Sequence, residues 1–134
     1  GVGVGPGNFT GIRIGVSAAR GLALGLDIPA VGVTGFEARE IDGALTAIPA
    51  PREQVYAVLP DQAPRLMPAS EAAEAARGAG LTFAPEASPQ GIAAAIARYA
   101  ALRCDDTPIA PAPLYMRAAD AAPSRDVPPA LIDG

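Results

Sequence analysis

The chain holds 134 residues, half of them apolar, with ten arginines, fourteen acids and a formal net charge of −4, enough apolar material for one domain or two small lobes. Lysine, histidine and tryptophan are absent, which excludes Ser-His and Cys-His nucleophile pairs, Schiff-base and Walker-lysine chemistry, and the usual zinc sites. The acidic balance offers no overall field to a polyanion, so RNA contact is expected only through a partner, and the longest uncharged run, Gly1 to Ile12, is too short to span a bilayer.

With 31 alanines, 15 glycines and 15 prolines, the core must be built from small side chains and interrupted by frequent turns. Val2 and Val4 open a short buried strand over residues 1–5, and Gly5-Pro6-Gly7-Asn8 reads as a turn. A helix is predicted from Thr10 to Leu26, its apolar positions Ile12, Val16, Ala19, Ala23 and Leu26 recurring at three- and four-residue steps until Pro29 stops it. Ala30 to Val33 supplies a second strand. Strand, crossover helix and strand make a βαβ unit with a parallel pair, so the fold class is α/β.

Glycine inside a helix costs about 0.5–1 kcal/mol relative to alanine, and this helix carries four, at 11, 15, 21 and 25. Close approach must compensate, either to the chain's own sheet or to another subunit. The strand-turn-helix junction also makes Gly5, Gly7, Asn8 and Thr10 candidate phosphate contacts. It matches neither G-x-x-x-x-G-K-[ST] nor G-x-G-x-x-G, and a plain structural turn is the competing reading.

Further along, Thr34 and Glu37 fit a capping box starting a short helix through Phe36 and Ile41 that Gly43 ends. Ala44 to Ile48 and Gln54 to Leu59 read as a hairpin around a rigid Pro49–Glu53 loop, marking a lobe boundary. Helices are predicted from Ala69 to Arg77, ended by Gly78, and from Ser88, as cap, to Arg103, with Ile92, Ile96, Tyr99 and Leu102 as the buried stripe. The lobes thus comprise residues 1–48 and 49–107. Six prolines between Pro108 and Pro129 leave the tail, 108–134, extended and largely unpaired. Cys104, the sole cysteine, reads as a small buried or half-buried hydrophobe in a reducing compartment. Neither Asp105-Asp106 nor Glu71 with Glu74 reads as a catalytic pair, and Ser17, Thr46, Ser70 and Ser124 have no visible base. No catalytic residue and no metal site is assigned.

The run Gly3-Val4-Gly5-Pro6-Gly7-Asn8-Phe9-Thr10-Gly11-Ile12-Arg13-Ile14-Gly15, continued by Ala18 to Ala23 and Ile28 to Val33, closely resembles the bacterial TsaB (YeaZ) family. Gln54-Val55-Tyr56 resembles the strand after that family's D-A-R-R-G turn, and Pro113-Leu114-Tyr115-Met116-Arg117 with Asp120 resembles its C-terminal P-L-Y-L-R-x-x-D signature. The resemblance implies part of an actin/Hsp70-type (ribonuclease H-like) ATPase lobe with a small second α/β lobe. It also implies a non-catalytic, cytoplasmic subunit of the complex that makes threonylcarbamoyladenosine next to the tRNA anticodon. Such a subunit pairs with the catalytic paralogue TsaD, supports the ATPase TsaE, and meets tRNA only through the complex. Two copies pairing with each other is a further implied state. No cofactor is expected for the chain alone, ATP or ADP being placed at the complex interface. The implied pairing surface is the helix after P-G-x-F-T-G-x-R, here Gly11, Ile12, Gly15, Val16, Ala19, Arg20 and Ala23.

The chain departs from the family pattern in three places. Nothing corresponds to the opening strands with their I-D-T-S loop or to the first helix, so an N-terminally truncated member is expected. Pro49 and Glu53 replace the Asp and Gly of the usual turn, and the stretch between Gly80 and Ser88 is shorter. Two other readings stand beside this one: a nucleotide-binding ATPase or kinase lobe resting on the Gly5 to Thr10 turn, and, far behind it, a glycoprotease-like peptidase, which the missing histidines and metal ligands oppose.

Overall fold

The computed structural model describes residues 1–86, 89–105 and 109–116. The expected Ser88 cap, Asp106, Ser124, and the Arg117 and Asp120 of the C-terminal signature lie outside the described residues.

β1 (Val2–Gly3) pairs in parallel with β2 (Gly32–Val33), Val2 opposite Gly32, and α1 (Phe9–Leu26) is the crossover between them. The strands are shorter than residues 1–5 and 30–33, yet single ladder bonds extend them, from Val2 N–H to Val31 O and from Val4 N–H to Val33 O, both 2.9 Å. Asn8 caps α1 by accepting the Gly11 N–H at 2.8 Å. At the other end Asp27 turns left-handed (φ 53°), and the amides of Asp27 and Ile28 fold back onto the carbonyls of Ala23 and Leu24. This Schellman-type closure ends the helix at Leu26, three residues before Pro29.

Successive residues of a strand face opposite sides of a sheet, and β1 shows what each side receives. A Cβ on Gly15 of α1 would come 4.0 Å from Val2 Cγ2, whereas a Cβ on Gly3 would come 3.3 Å from Ile96 Cδ1. Ile96 belongs to α3 (Pro89–Arg103), so α1 and α3 cover the two faces. Of the predicted apolar positions of α1, Val16 and Ala23 are buried while Leu26, the last residue of the helix, is 65% exposed. On α3 the buried residues are Ala95 and Ala100, and the expected Leu102 is exposed. Arg103, one position on, turns inward instead to meet Glu37 at 2.6 Å.

Thr34 and Glu37 do form a capping box: the Thr34 N–H and Oγ1 donate to Glu37 Oε2, and the Glu37 N–H donates to Thr34 Oγ1. The helix expected through Ile41 reduces to one 3-10 turn, Glu37–Arg39. Ile41 is 59% exposed, so no apolar face was available to propagate a second turn.

The second unit begins sooner than expected. β3 (Ala44–Leu45) pairs in parallel with β7 (Thr82–Phe83), while β4 (Ala47–Ala50), β5 (Gln54–Ala57) and β6 (Arg65–Pro68) form an antiparallel sheet in that order. The single strand predicted over Ala44 to Ile48 is therefore broken at Thr46, its halves serving different sheets. Pro49 is tolerated inside β4 because β4 is an edge, where no ladder amide is needed. α2 (Ala69–Gly78) covers this unit. Its stop differs from the prediction: Gly78 remains helical, and Gly80 supplies the positive φ of 69°. A lobe boundary at 48/49 would cut β4, and α3, expected in the second lobe, packs on β1, β2 and the 3-10 turn of the first unit. β6 and β7 leave no clear signal in the sequence, since Pro64 precedes β6 and Pro68 closes it, and β7 has only two residues.

Leu45, Ala47, Val55, Ala57, Leu59, Met67, Ala72 and Ala76 make the main core, and Leu45 and Val33 are the largest fully buried side chains. Small residues let the layers approach closely, as the alanine content requires. The β4–β5 connection holds Arg52 at φ 61° and Glu53 at φ 53°, a left-handed conformation that costs an L-residue about 1–2 kcal/mol. Glu53→Gly is expected to stabilise the protein by about 1 kcal/mol, read as a rise in the thermal midpoint; an unchanged or lower midpoint would contradict it.

Cys104 is exposed, not buried, and its Sγ lies 3.2 Å from the Ala101 carbonyl. It sits one residue beyond the end of α3, with its side chain at the surface.

Candidate functional site

The two stretches that carry the family resemblance, one at each end of the sequence, meet in space. Residues 109–116 carry no regular secondary structure and meet the start of α1 through Tyr115, and the Leu114 N–H donates to Val4 O at 2.7 Å. Arg13 Nε donates to Tyr115 Oη at 2.7 Å across 102 positions of sequence. The Arg13 guanidinium lies 4.0 Å from the Phe9 ring centroid and 5.6 Å from that of Tyr115, and the two rings are 4.9 Å apart. Stacking and a hydrogen bond together fix a side chain that would otherwise sample many rotamers. Sequence reasoning missed this latch because nothing local links Arg13 to Tyr115.

The glycine turn beside it is tightly built. Gly5 has φ 105°, and a Cβ there would come 2.8 Å from Ile12 Cδ1 and 3.0 Å from Leu114 O. The close approach of α1 and the C-terminal strap thus accounts for glycine at this position. The Gly5 carbonyl accepts the Gly35 N–H at 2.7 Å, and the Asn8 carboxamide oxygen is taken by the helix cap. Gly7 and Thr10 are exposed. Of the four residues proposed for phosphate contact, the structure thus gives Gly5 and Asn8 structural partners and leaves Gly7 and Thr10 at the surface.

α1 presents three faces. Ile12, Gly15, Val16, Ala19 and Ala23 turn toward the chain's own sheet, half-buried or buried, so only Gly11 and Arg20 of the predicted pairing residues lie exposed. Arg13, Ser17 and Arg20 form a flank beside the strap, lining a groove of about 550 Å³ with Val16, Pro113 and Tyr115. The third face points outward: Gly11, Ile14, Ala18, Gly21, Leu22 and Gly25 follow one another at helical spacing and all are exposed, Ile14 at 65% and Leu22 at 66%. A Cβ on Gly21 or Gly25 would meet nothing within 4 Å. The chain's own packing therefore gives no reason for either glycine.

Charged groups elsewhere join elements. Burial pushes the Glu37 carboxyl up, but the Thr34 donors and the Arg103 guanidinium outweigh it and hold the group below the usual carboxylate range. Tyr99 donates to Glu40 at 2.9 Å, and this bond to a carboxylate raises its phenol. Burial lowers Arg39, with Glu86 opposing, and Arg39 Nε is buried without a partner among the described residues. Because Glu37 is depressed in the folded state, its contribution to stability is present above the unfolded glutamate range near ~4.3 and lost as pH falls through the folded value. Wild type should therefore melt above Glu37→Gln at neutral pH, and the gap should close in acid; a gap independent of pH would refute this account.

Among the described residues no group of three or more Cys, Asp or Glu is placed to hold a metal, and no helix is long and apolar enough to cross a membrane.

A βαβ unit entered through a glycine turn, with its helix latched to a C-terminal P-L-Y segment, defines the class. The chain belongs to the TsaD family, described as tRNA N6-adenosine threonylcarbamoyltransferase, whose model matches residues 1–83. Within it the chain is TsaB-like. It is 37% identical over 62 residues to the tRNA threonylcarbamoyladenosine biosynthesis protein TsaB of Haemophilus influenzae, 40% of this chain and 26% of that protein. To the proteins of the same name from Escherichia coli and Bacillus subtilis it is 59% identical over 32 residues and 47% over 58, covering 24% and 39% of this chain and 14% and 25% of theirs. The matches thus span about a quarter or less of each relative's length.

Proposed function

We propose that this chain acts in threonylcarbamoyladenosine biosynthesis as a non-catalytic subunit that pairs with a TsaD-type catalytic paralogue in the cytoplasm. The outward face of α1 carries this reading: a helix that bears glycine where its own fold needs none is shaped for another helix to approach. The pairing residues are then Gly11, Ile14, Ala18, Gly21, Leu22 and Gly25, and the inward set Ile12, Val16, Ala19 and Ala23 supports them from below. The chain forms part of an actin/Hsp70-type lobe, any ATP or ADP belongs to the joint interface, and TsaE joins the assembled pair. The residues described here offer shape and position to the reaction. Co-expression with a tagged TsaD tests the reading: a stoichiometric complex is the expected result, and its absence from folded protein would refute it.

A further inference from the structure

α1 is unevenly anchored. Its buried residues are Val16 and Ala23, so nothing in its first two turns, residues 9–15, is buried, and those turns carry Gly11 and Gly15, poor helix formers. They nevertheless bear Gly11 and Ile14 of the outward face. Besides the Asn8 cap, what holds them gathers around the strap, residues 109–116. The strap is itself fixed to the sheet: the Leu114 N–H donates to Val4 O at 2.7 Å, and Pro111 is buried where a Cβ on Gly32 of β2 would come 3.2 Å from it. From this fixed base Tyr115 reaches α1 twice. Its ring lies 4.9 Å from that of Phe9, and its hydroxyl accepts the Arg13 Nε–H at 2.7 Å. Arg13 in turn lies 4.0 Å from the Phe9 ring centroid. Phe9 and Arg13 stand one turn apart on the same side of the helix, so a single tyrosine clamps both early turns. Arg13 sits about 100° round the helix from Ile14, on the flank beside the strap, so the clamp and the outward face are separate surfaces of one helix.

We infer that Arg13 and Tyr115 are positioning residues for the pairing proposed above: they keep Gly11 and Ile14 in one continuous surface with Leu22 and Gly25, without touching the partner themselves. This role rests on the pairing reading of the outward face and adds which residues hold that face in the form a partner meets. Without the clamp the early turns open locally while the rest of the helix stays closed. Only molecules with the whole helix formed then pair, and apparent affinity falls in proportion to their fraction.

Amide hydrogen exchange of the free full chain and its calorimetric titration with purified TsaD test this together, on wild type, Tyr115→Ala, Tyr115→Phe and Arg13→Gln. In Tyr115→Ala, exchange at residues 12–15 should quicken about tenfold while that at residues 19–23 is unchanged, and capture of TsaD should weaken about fivefold. Tyr115→Phe keeps the ring against Phe9 and loses only the acceptor, so it should restore most of both; Arg13→Gln should fall between the two tyrosine variants. Exchange at residues 12–15 that ignores Tyr115→Ala would overturn the clamp, as would protection lost evenly along the whole chain. Weaker capture with unchanged exchange would put these side chains in the interface itself and overturn the positioning role. Wild type that captures no TsaD refutes the pairing, whereas equal capture by wild type and Tyr115→Ala refutes only the role of the clamp.

Discussion

Leu45→Ala should destabilise the protein by about 3 kcal/mol, within the range of about 2–5 kcal/mol for truncating a buried leucine. Leu45 is 2% exposed and is packed in the core with Val55, Met67, Ala72 and Ala76 among others. Most of its neighbours are alanine or valine, which have no long side chains to swing into the vacated space, so the cavity persists and the cost stays high. β3 also carries Leu45 into the parallel pairing with β7, so the loss acts on two sheets and α2 at once. Chemical denaturation of the wild type and the variant measures it. A loss under 1 kcal/mol would mean that the second unit does not depend on this core.

Leu22→Asp, with Ile14→Asp as its companion, should abolish capture by a TsaD-type partner, weakening it at least a hundredfold, while leaving the thermal midpoint within about a degree or two. The two halves of this result have separate physical causes. Both side chains are about two-thirds exposed, so a carboxylate there stays hydrated in the free protein and costs little. In a helix-to-helix interface the same carboxylate would be desolvated without a partner, which costs several kcal/mol. Calorimetric titration with purified TsaD and circular dichroism of the free variants separate these effects. Undiminished capture by a folded Leu22→Asp would remove the outward face of α1 from the pairing surface.

Val16→Asp offers the contrast. Val16 is 3% exposed, and an acid there should unfold the first unit before any question of partners arises. The pair of outcomes distinguishes the inward stripe from the outward one, a distinction that small residues alone do not make.

The sequence by itself determined the local features whose causes lie within a few residues. The Thr34–Glu37 box, the α1 crossover and its stop before Pro29, the α2 helix and the parallel β1–β2 pair follow from capping, periodicity and the handedness of βαβ connections. These interactions are short-range, and so they are written in consecutive residues. Composition likewise settled the absence of histidine chemistry and the smallness of the core.

Only the tertiary structure decided what each face of α1 meets. Periodicity picked out Val16 and Ala23, which are buried, but grouped with them Leu26, which is 65% exposed, and it left open whether that stripe packs on the chain's own sheet or on another subunit. The tertiary structure also split Ala44 to Ala50 between two sheets, brought α3 back to the first unit, exposed Cys104 and placed Tyr115 on Arg13. Each of these depends on contacts between residues far apart in the chain, where the deciding quantity is the shape of the opposing surface. Local propensity has no term for that shape, because the surface exists only once the layers have packed.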